Sequence, residues 1–404
     1  MNQILLITIS GKDQAGVTAG LTALLAEYSV NILDIGQAVI HAALSLGLLV
    51  ELPEGCASEQ VAATVQNFAL RHDLQAVTNA ISSESYSQWV EAHRGARYII
   101  TLLARKITSD QLARVTRVIS QHGLNINGIN RLSGRIPLGK LPALSKACVE
   151  FSARGSLGDP AAFRRELLEV AGALEVDLAL QQDSMYRRNR RLVVFDMDST
   201  LVEAEVIDEL AKQAGVGEQV SAITERAMRG EIDFSESFRA RVALLEGLEE
   251  SALERVASQL KITEGAEHLI STLRILGYKT AILSGGFTYF AKQLQVRLGI
   301  DYVYANELDI AAGVVTGKIK GAIVDGARKA ELLRQLAAEQ RIDLQQVIAV
   351  GDGANDLPML SIAGLGIAFR AKPLVQKSAE QSISTLGLDA ILYLLGISDK
   401  YHRQ

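Results

Sequence analysis

Two stretches of this chain put carboxylates where catalysis could use them. In RLVVFDMDSTLVEAE, from Arg191 to Glu205, the apolar run Leu192–Phe195 gives way to Asp196 and Asp198, one residue apart, and then to the hydroxyls of Ser199 and Thr200. In QVIAVGDGANDLPML, from Gln346 to Leu360, the apolar run Val347–Val350 leads into Asp352, with Asn355 and Asp356 one turn further on. Short apolar runs of this kind fill the centre of a parallel sheet. Open α/β sheets bind their ligands where strand gives way to loop. Acids delivered to that edge are costly unless a cation compensates them. Asp and Ser are also common turn and cap residues, so DMDST by itself does not decide.

A third strand, Lys279–Phe287, ends in Ser284, Gly285 and Gly286. Glycines let the backbone approach a ligand closely, and a hydroxyl with free N–H groups suits phosphate oxygens. The chain has no G-x-x-x-x-G-K-[ST], so this is not a Walker loop. Lys329 lies near the start of the helix predicted over Asp325–Ala337, where a cation helps only beside an anion. From Asp208 to about Lys261 the chain reads as charged helices inserted between the first two strands. That insertion predicts a small helical lid over the strand ends.

The elements before residue 190 repeat. Strand Ile4–Ser10, a GKDQAG turn, helix Val17–Tyr28, strands Val30–Ile40 and Leu44–Leu52, helix Ser58–Arg71 and strand Leu74–Ile81 make a β-α-β-β-α-β unit. A second such unit follows: strand Tyr98–Ala104, helix Ser109–Gln121, strand Leu124–Leu132, strand Ala147–Ala153, helix Pro160–Ala171 and strand Glu175–Leu180. Asn31 and Asn125 hold like positions in the two copies. The period suits two copies of a small domain, not a solenoid. The second copy has a longer connection, Ser133–Lys146, and ARKITSD in place of the GKDQAGV turn. The arginine-rich stretch Gln181–Arg190 reads as a linker.

Composition narrows the class. A chain of 404 residues, 48% hydrophobic and 22% charged, is that of an ordinary soluble globular protein with ample core. A net charge of −5 offers no general basic field, which argues against nucleic acid as a partner. Cys56 and Cys148 have no partnering spacing and fit a reducing compartment. The N-terminus lacks the pattern of a signal peptide. No apolar run approaches the roughly 20 residues of a membrane helix. The expectation is a cytoplasmic protein without membrane contact.

Strand ends carrying DxDST, SGG and GDGxND in that order, with a lysine between the last two, resemble the haloacid dehalogenase-like phosphohydrolases across residues 191–404. EAEVIDELAKQAGV, AMRGEIDF, SFRARVALL, ILSGGF and GDGANDLPML narrow this to the phosphoserine phosphatase family; Met197, where many members have Phe, is a small departure. Residues 1 to about 182 resemble two ACT domains, ferredoxin-like modules that commonly bind amino acids and pair with other copies. Asp13 to Gly16 and the Asn-Ile-Leu segment carry this second resemblance.

The resemblance implies an α/β fold: a Rossmann-like parallel sheet with a small helical cap, preceded by two ferredoxin-like βαββαβ domains. The expected boundaries are 1–84 and 96–182 for the ACT-like domains and 190–404 for the phosphatase, with the cap at about 204–262. It also implies Mg²⁺-dependent hydrolysis of O-phospho-L-serine, the last step of serine biosynthesis, through an aspartyl-phosphate. Asp196 is then the nucleophile and Asp198 the acid and base. Mg²⁺ is held by the Asp196 carboxylate, the Asp198 carbonyl and Asp352, with Asp356 in support. Substrate-binding residues map onto Glu205, Met228, Phe234, Arg241, Ser284, Gly285, Lys329 and Asn355. Arg241 suits a substrate carboxylate and Glu205 its ammonium. The alternatives are a phosphatase for another small phosphomonoester, a phosphomutase and an amino-acid-responsive regulator. A homodimer and an amino-acid effector at the ACT-like domains are further expectations.

Overall fold

The computed structural model describes residues 3–401 except 94, 138 and 140–143. The chain forms two compact units, residues 1–95 and 96–404. In the first unit, β1 (Ile4–Lys12), α1 (Val17–Glu27), β2 (Asn31–Ile40), β3 (Ala43–Glu51), α2 (Ser58–Arg71) and β4 (Leu74–Ile81) build an antiparallel sheet in the order β2-β3-β1-β4. Alternation decides its two faces. Leu5, Ile7 and Ile9 point into the core with Leu46, Leu48, Leu21 and Val65, while Leu6, Thr8 and Ser10 face the other way and stay half-buried. A helix not foreseen from the pattern, α3 (Ser83–His93), follows. Its Tyr86 and Trp89 line a cleft with Leu6 and Leu49 on that outer face.

The second unit opens with the same topology: β5 (Arg97–Ala104), α4 (Ser109–Gln121), β6 (Asn125–Arg131), β7 (Ala147–Arg154), α5 (Pro160–Leu174) and β8 (Asp177–Gln182), in the order β6-β7-β5-β8. A capping box, Thr108 with Gln111, starts α4, and Asp159 with Pro160 at the first position starts α5. Part of the expected connection Ser133–Lys146 falls outside the described residues.

The parallel sheet is next. β9 (Leu192–Phe195) is followed by α6 (Val206–Ala214), α7 (Gly217–Met228), α8 (Phe234–Ala243) and α9 (Glu250–Gln259), the helical cap. The chain returns through α10 (Ala266–Ile275), β10 (Lys279–Phe287), α11 (Thr288–Leu298), the hairpin β11 (Tyr302–Ala311) and β12 (Val314–Lys320), α12 (Gly326–Glu339) and β13 (Val347–Gly351). It ends with α13 (Leu357–Ile362), β14 (Leu365–Phe369), α14 (Pro373–Ser378), β15 (Gln381–Ile383) and α15 (Ile391–Leu394). Sheet order is β12-β11-β10-β9-β13-β14-β15, parallel from β11 to β15 and antiparallel only at the β11–β12 edge.

The segment read as a linker is packed, not loose. Arg187 is 1% exposed and pairs with Glu150 of β7, while Arg190 donates to the Gly364 carbonyl at 3.1 Å. The stretch read as a linker because a buried guanidinium is rare unless paired, and the partners lie tens of residues or more away.

Candidate active site

β9 sits at the middle of the sheet with β10 on one side and β13 on the other. Phe195 is level with Ile282 in one neighbour and Val350 in the other. The three loops leaving these strands therefore open on one edge, the carboxyl edge, which brings the three motifs together.

Asp196 leaves β9 with its amide donating to the Val350 carbonyl at 2.9 Å, and its own Oδ1 accepts from the Met197 amide at 2.8 Å. Ser199 in the following turn holds a left-handed φ of 53°, a strained conformation for a residue with a side chain. Its hydroxyl donates to Glu205 at 2.8 Å. The Asp198 carboxylate accepts from the Val206 amide at 3.1 Å, at the entry to the cap. Opposite it, a side chain on Gly286 would strike Asp198 Oδ2, with Ser284 Oγ only 3.1 Å away. That close approach is what requires glycine. The buried Ser284 hydroxyl accepts from the Gly286 amide at 2.9 Å.

Lys329 enters from the first turn of α12, which Asp325 caps. Its Nζ is fully buried, 2.9 Å from Asp196 Oδ1 and 2.6 Å from Asp356 Oδ1. Burial works against its charge, but the two carboxylates outweigh burial and hold its pKa above the ordinary lysine range. Asp356 also accepts from the Gly353 amide at 3.0 Å.

The acids outnumber the cations here. Burial first, then Asp196, Asp356 and Glu205, push Asp352 up to about 8. Burial and Asp196 push Asp356 up to about 6, against the pull of Lys329. Asp198 is raised well above the carboxylate range by burial and then by Glu205 and Asp196. Glu205 is raised by burial, with the Ser199 hydrogen bond opposing. One oxygen each of Asp196, Asp352 and Asp356 lie within 4.8 Å of one another, an all-oxygen set that fits a hard divalent cation.

Above this edge stands the cap. Phe234, first residue of α8, fills the space a side chain at Gly285 would need and stacks on Phe238 at 6.0 Å. Arg241 is drawn down from the ordinary arginine range by burial, while Asp208, Glu205 and Asp198 support its charge. Its Nε donates to the Ser237 carbonyl at 3.4 Å, and among the described residues its terminal nitrogens make no hydrogen bond or ion pair. Met228 ends α7; its side chain lies outside what is described. Asn355 is half-buried in the short 3₁₀ turn Ala354–Asp356 beside Asp352.

Sequence reading named the Thr200 hydroxyl without its partner and missed Asn306 altogether. Thr200 donates to Asp352 at 3.4 Å. Asn306 of β11, 2% exposed, donates to the Gly285 carbonyl at 2.8 Å and accepts from the Val324 amide at 2.8 Å, tying the SGG loop to the approach to α12. Asn306 sits between Ala305 and Glu307 in a strand that also carries Asp309, so nothing local marked it. Asp356 stands within the carboxylate cluster itself.

The comparisons with known proteins fit this geometry. The haloacid dehalogenase-like hydrolase model matches residues 193–361 and the ACT domain model residues 3–79. A phosphoserine phosphatase of Streptomyces coelicolor is 42% identical over 98% of this chain and 92% of its own length. The chain belongs to the phosphoserine phosphatase family. A second member, from Mycobacterium tuberculosis, is 39% identical over 97% of this chain and 93% of its own. Among solved structures, a probable phosphoserine phosphatase from Vibrio cholerae, in unliganded form, superposes with a TM-score of 0.59 at 34% identity, covering 76% of this chain and 88% of that one. Family membership accounts for the joint presence of an ACT domain and a haloacid dehalogenase-like sheet with a carboxylate cluster at its edge.

Proposed function

We propose that this protein hydrolyses O-phospho-L-serine to L-serine and inorganic phosphate, the closing step of serine biosynthesis, with Mg²⁺ as cofactor. The observation that carries the reading is the meeting of Asp196, paired with the buried Lys329 at 2.9 Å, and Asp198, buried and raised above the carboxylate range, under a cap that presents both Arg241 and Glu205.

A carboxylate oxygen of Asp196 attacks phosphorus and the bond to the serine oxygen breaks. Asp198 gives its proton to that leaving oxygen. In the second half Asp198 takes a proton from water, the water oxygen attacks phosphorus, and the Asp196–phosphorus bond breaks to release phosphate. Ser284, Lys329 and the Gly285 amide bind the phosphoryl oxygens through the transfer. Asp196 and Asp352 with the Asp198 carbonyl are the proposed holders of Mg²⁺, steadied by Asp356 and Asn355; the ion supplies the positive charge that lets a dianion approach these acids. Arg241 takes the substrate carboxylate and Glu205 its ammonium, while Phe234 and Met228 exclude water.

The ACT domain at residues 3–79 supports an amino-acid effector, and ACT-like modules that pair favour a homodimer. No helix among the described residues is long and apolar enough to cross a membrane, which is consistent with the proposed cytoplasmic location.

The test is Mg²⁺-dependent phosphate release from phosphoserine, phosphothreonine and an aryl phosphate. Selective release from phosphoserine that falls by at least roughly 10³-fold in Asp196→Asn is expected. Arg241→Met should raise KM for phosphoserine by roughly 10–100-fold and leave the aryl phosphate unchanged. Equal turnover of all three substrates would discard phosphoserine as the substrate.

A further inference from the structure

The cap joins the sheet through two linkers, and these form a ribbon. Val202 bridges Ile262, the Glu203 amide donates to the Lys261 carbonyl at 2.9 Å, and the Thr263 amide donates to the Leu201 carbonyl at 3.0 Å. On one side the ribbon borders an open cleft lined by Glu203, Lys261, Glu264 and His268. Each linker carries one acid that points out of the ribbon, Glu203 in the first and Glu264 in the second.

Arg370 holds both. It donates to Glu203 at 3.4 Å and to Glu264 at 3.0 Å. It follows the last residue of β14 with φ at 44°, a left-handed conformation that costs a side-chain-bearing residue energy. Its amide donates to the Ile383 carbonyl at 2.8 Å, which fixes it there. A strained arginine anchored in the sheet and spanning two linkers is poorly explained as surface decoration.

Glu264 has a second partner, from outside the catalytic sheet. Arg105, at the start of the ARKITSD turn after β5, donates to both of its oxygens at 2.9 Å, a bidentate pair. The Arg105 carbonyl accepts from Ser145 at 2.8 Å, and neighbouring Lys146 pairs with Asp389. Asp389 occupies the space that a side chain on Gly265, where φ is 81°, would need. The turn that in the first copy reads GKDQAGV thus carries, in the second copy, a grip on the cap's hinge.

We propose that Arg370 and Arg105 are positioning residues for the cap, Arg370 by clamping its two linkers and Arg105 by joining that clamp to the second βαββαβ module through Glu264. The kinetic consequence rests on the phosphatase reading above; the mechanical one does not. Any displacement of that module moves Arg105 and with it one linker, so the distance of Arg241 and Phe234 from Asp196 follows the position of the second module.

The experiment uses the full chain with Arg370→Met, Arg105→Met and Arg105→Lys, reading amide hydrogen exchange at residues 201–205 and 260–264 together with KM and kcat for phosphoserine. Arg370→Met should speed exchange in both linkers several-fold and raise KM roughly 5-fold with a smaller change in kcat. Arg105→Met should act in the same direction, mainly on 260–264, and Arg105→Lys should recover part of the loss, since an ammonium cannot span both oxygens. Wild-type exchange and KM in Arg370→Met would overturn the clamp. Faster exchange in Arg370→Met but not in Arg105→Met would overturn the link to the N-terminal module. A lower melting temperature with both linkers and KM unmoved would reduce the arginines to structural glue. Wild-type protein inactive on phosphoserine would break the functional reading alone, and the exchange data would still judge the clamp.

Discussion

The two βαββαβ modules share strand order and differ in what their sheets' outer faces meet. In β1 that face holds Leu6, Thr8 and Ser10, all half-buried; in β5 it holds Ile99, Thr101 and Leu103, all fully buried. Leu103, Leu132, Cys148 and Ala179 of the second module belong to the same apolar cluster as Ile391 and Leu394 of the catalytic part. Polar groups complete that seam. Asp177 accepts from the Ser384 and Thr385 amides at 2.8 Å each, and Gln381 exchanges hydrogen bonds with the backbone of Leu180 at 2.9 and 2.6 Å. One topology has become a separate unit in the first case and a wall of the phosphatase in the second. A few outer-face side chains account for the change, because a sheet's two faces are set by alternate residues and can be altered independently.

The sharpest way to break this contrast is a charge on each outer face. Leu103→Asp should cost at least about 4 kcal/mol, since it leaves a buried charge unpaired and removes packing; Thr8→Asp should cost about 0.5 kcal/mol or less. Equal losses in thermal melting would mean that the two faces are equivalent after all.

Metal binding separates the units next. Mg²⁺ at 100 times its Kd should stabilise the unit of residues 96–404 by about 2.7 kcal/mol and leave residues 1–95 unaffected. Without metal, Asp352 is raised to about 8 and Asp356 to about 6. Below those values a proton competes with the ion, so the melting shift should grow as pH rises from 6 to 8. A shift independent of pH, or one that survives Asp352→Asn, would place the ion elsewhere.

Asp177→Ala removes two buried hydrogen bonds from the seam and should cost about 1–3 kcal/mol, read as a lower urea midpoint for the second unit. The smallest effect belongs to deletion of residues 1–95, which should leave the melting temperature of the rest within about 2 °C. A large drop would show that the first module supports the second unit as well.

Much of the architecture could be read from local pattern. Alternation marked β1, the 3.6-residue period marked α1, and unbroken apolar runs marked β9 and β13. Each signal lies within about ten residues, where backbone geometry and side-chain direction are coupled. Several elements escaped, α3 and the β11–β12 hairpin among them. The helix α3 mixes Trp89 with polar residues and has no clear apolar stripe, and the β11–β12 hairpin closes on an edge where half-buried residues blur the alternation.

For the candidate site, residue types and order were in the sequence: two acids after one strand, Ser-Gly-Gly after the next, Gly-Asp-Gly after a third. What only the tertiary structure decided is which of these charges meet. Lys329 lies 133 positions from Asp196 in sequence and 2.9 Å from it in space, and nothing local distinguishes it from a solvated lysine. The same holds for Arg187 buried against Glu150, for Asn306 under the SGG loop, and for Arg105 and Arg370 meeting at Glu264. Periodicity reports which face of an element is apolar. It carries no information about which distant element covers that face, and the charge state of a buried acid or base depends on that covering through desolvation and neighbouring charge.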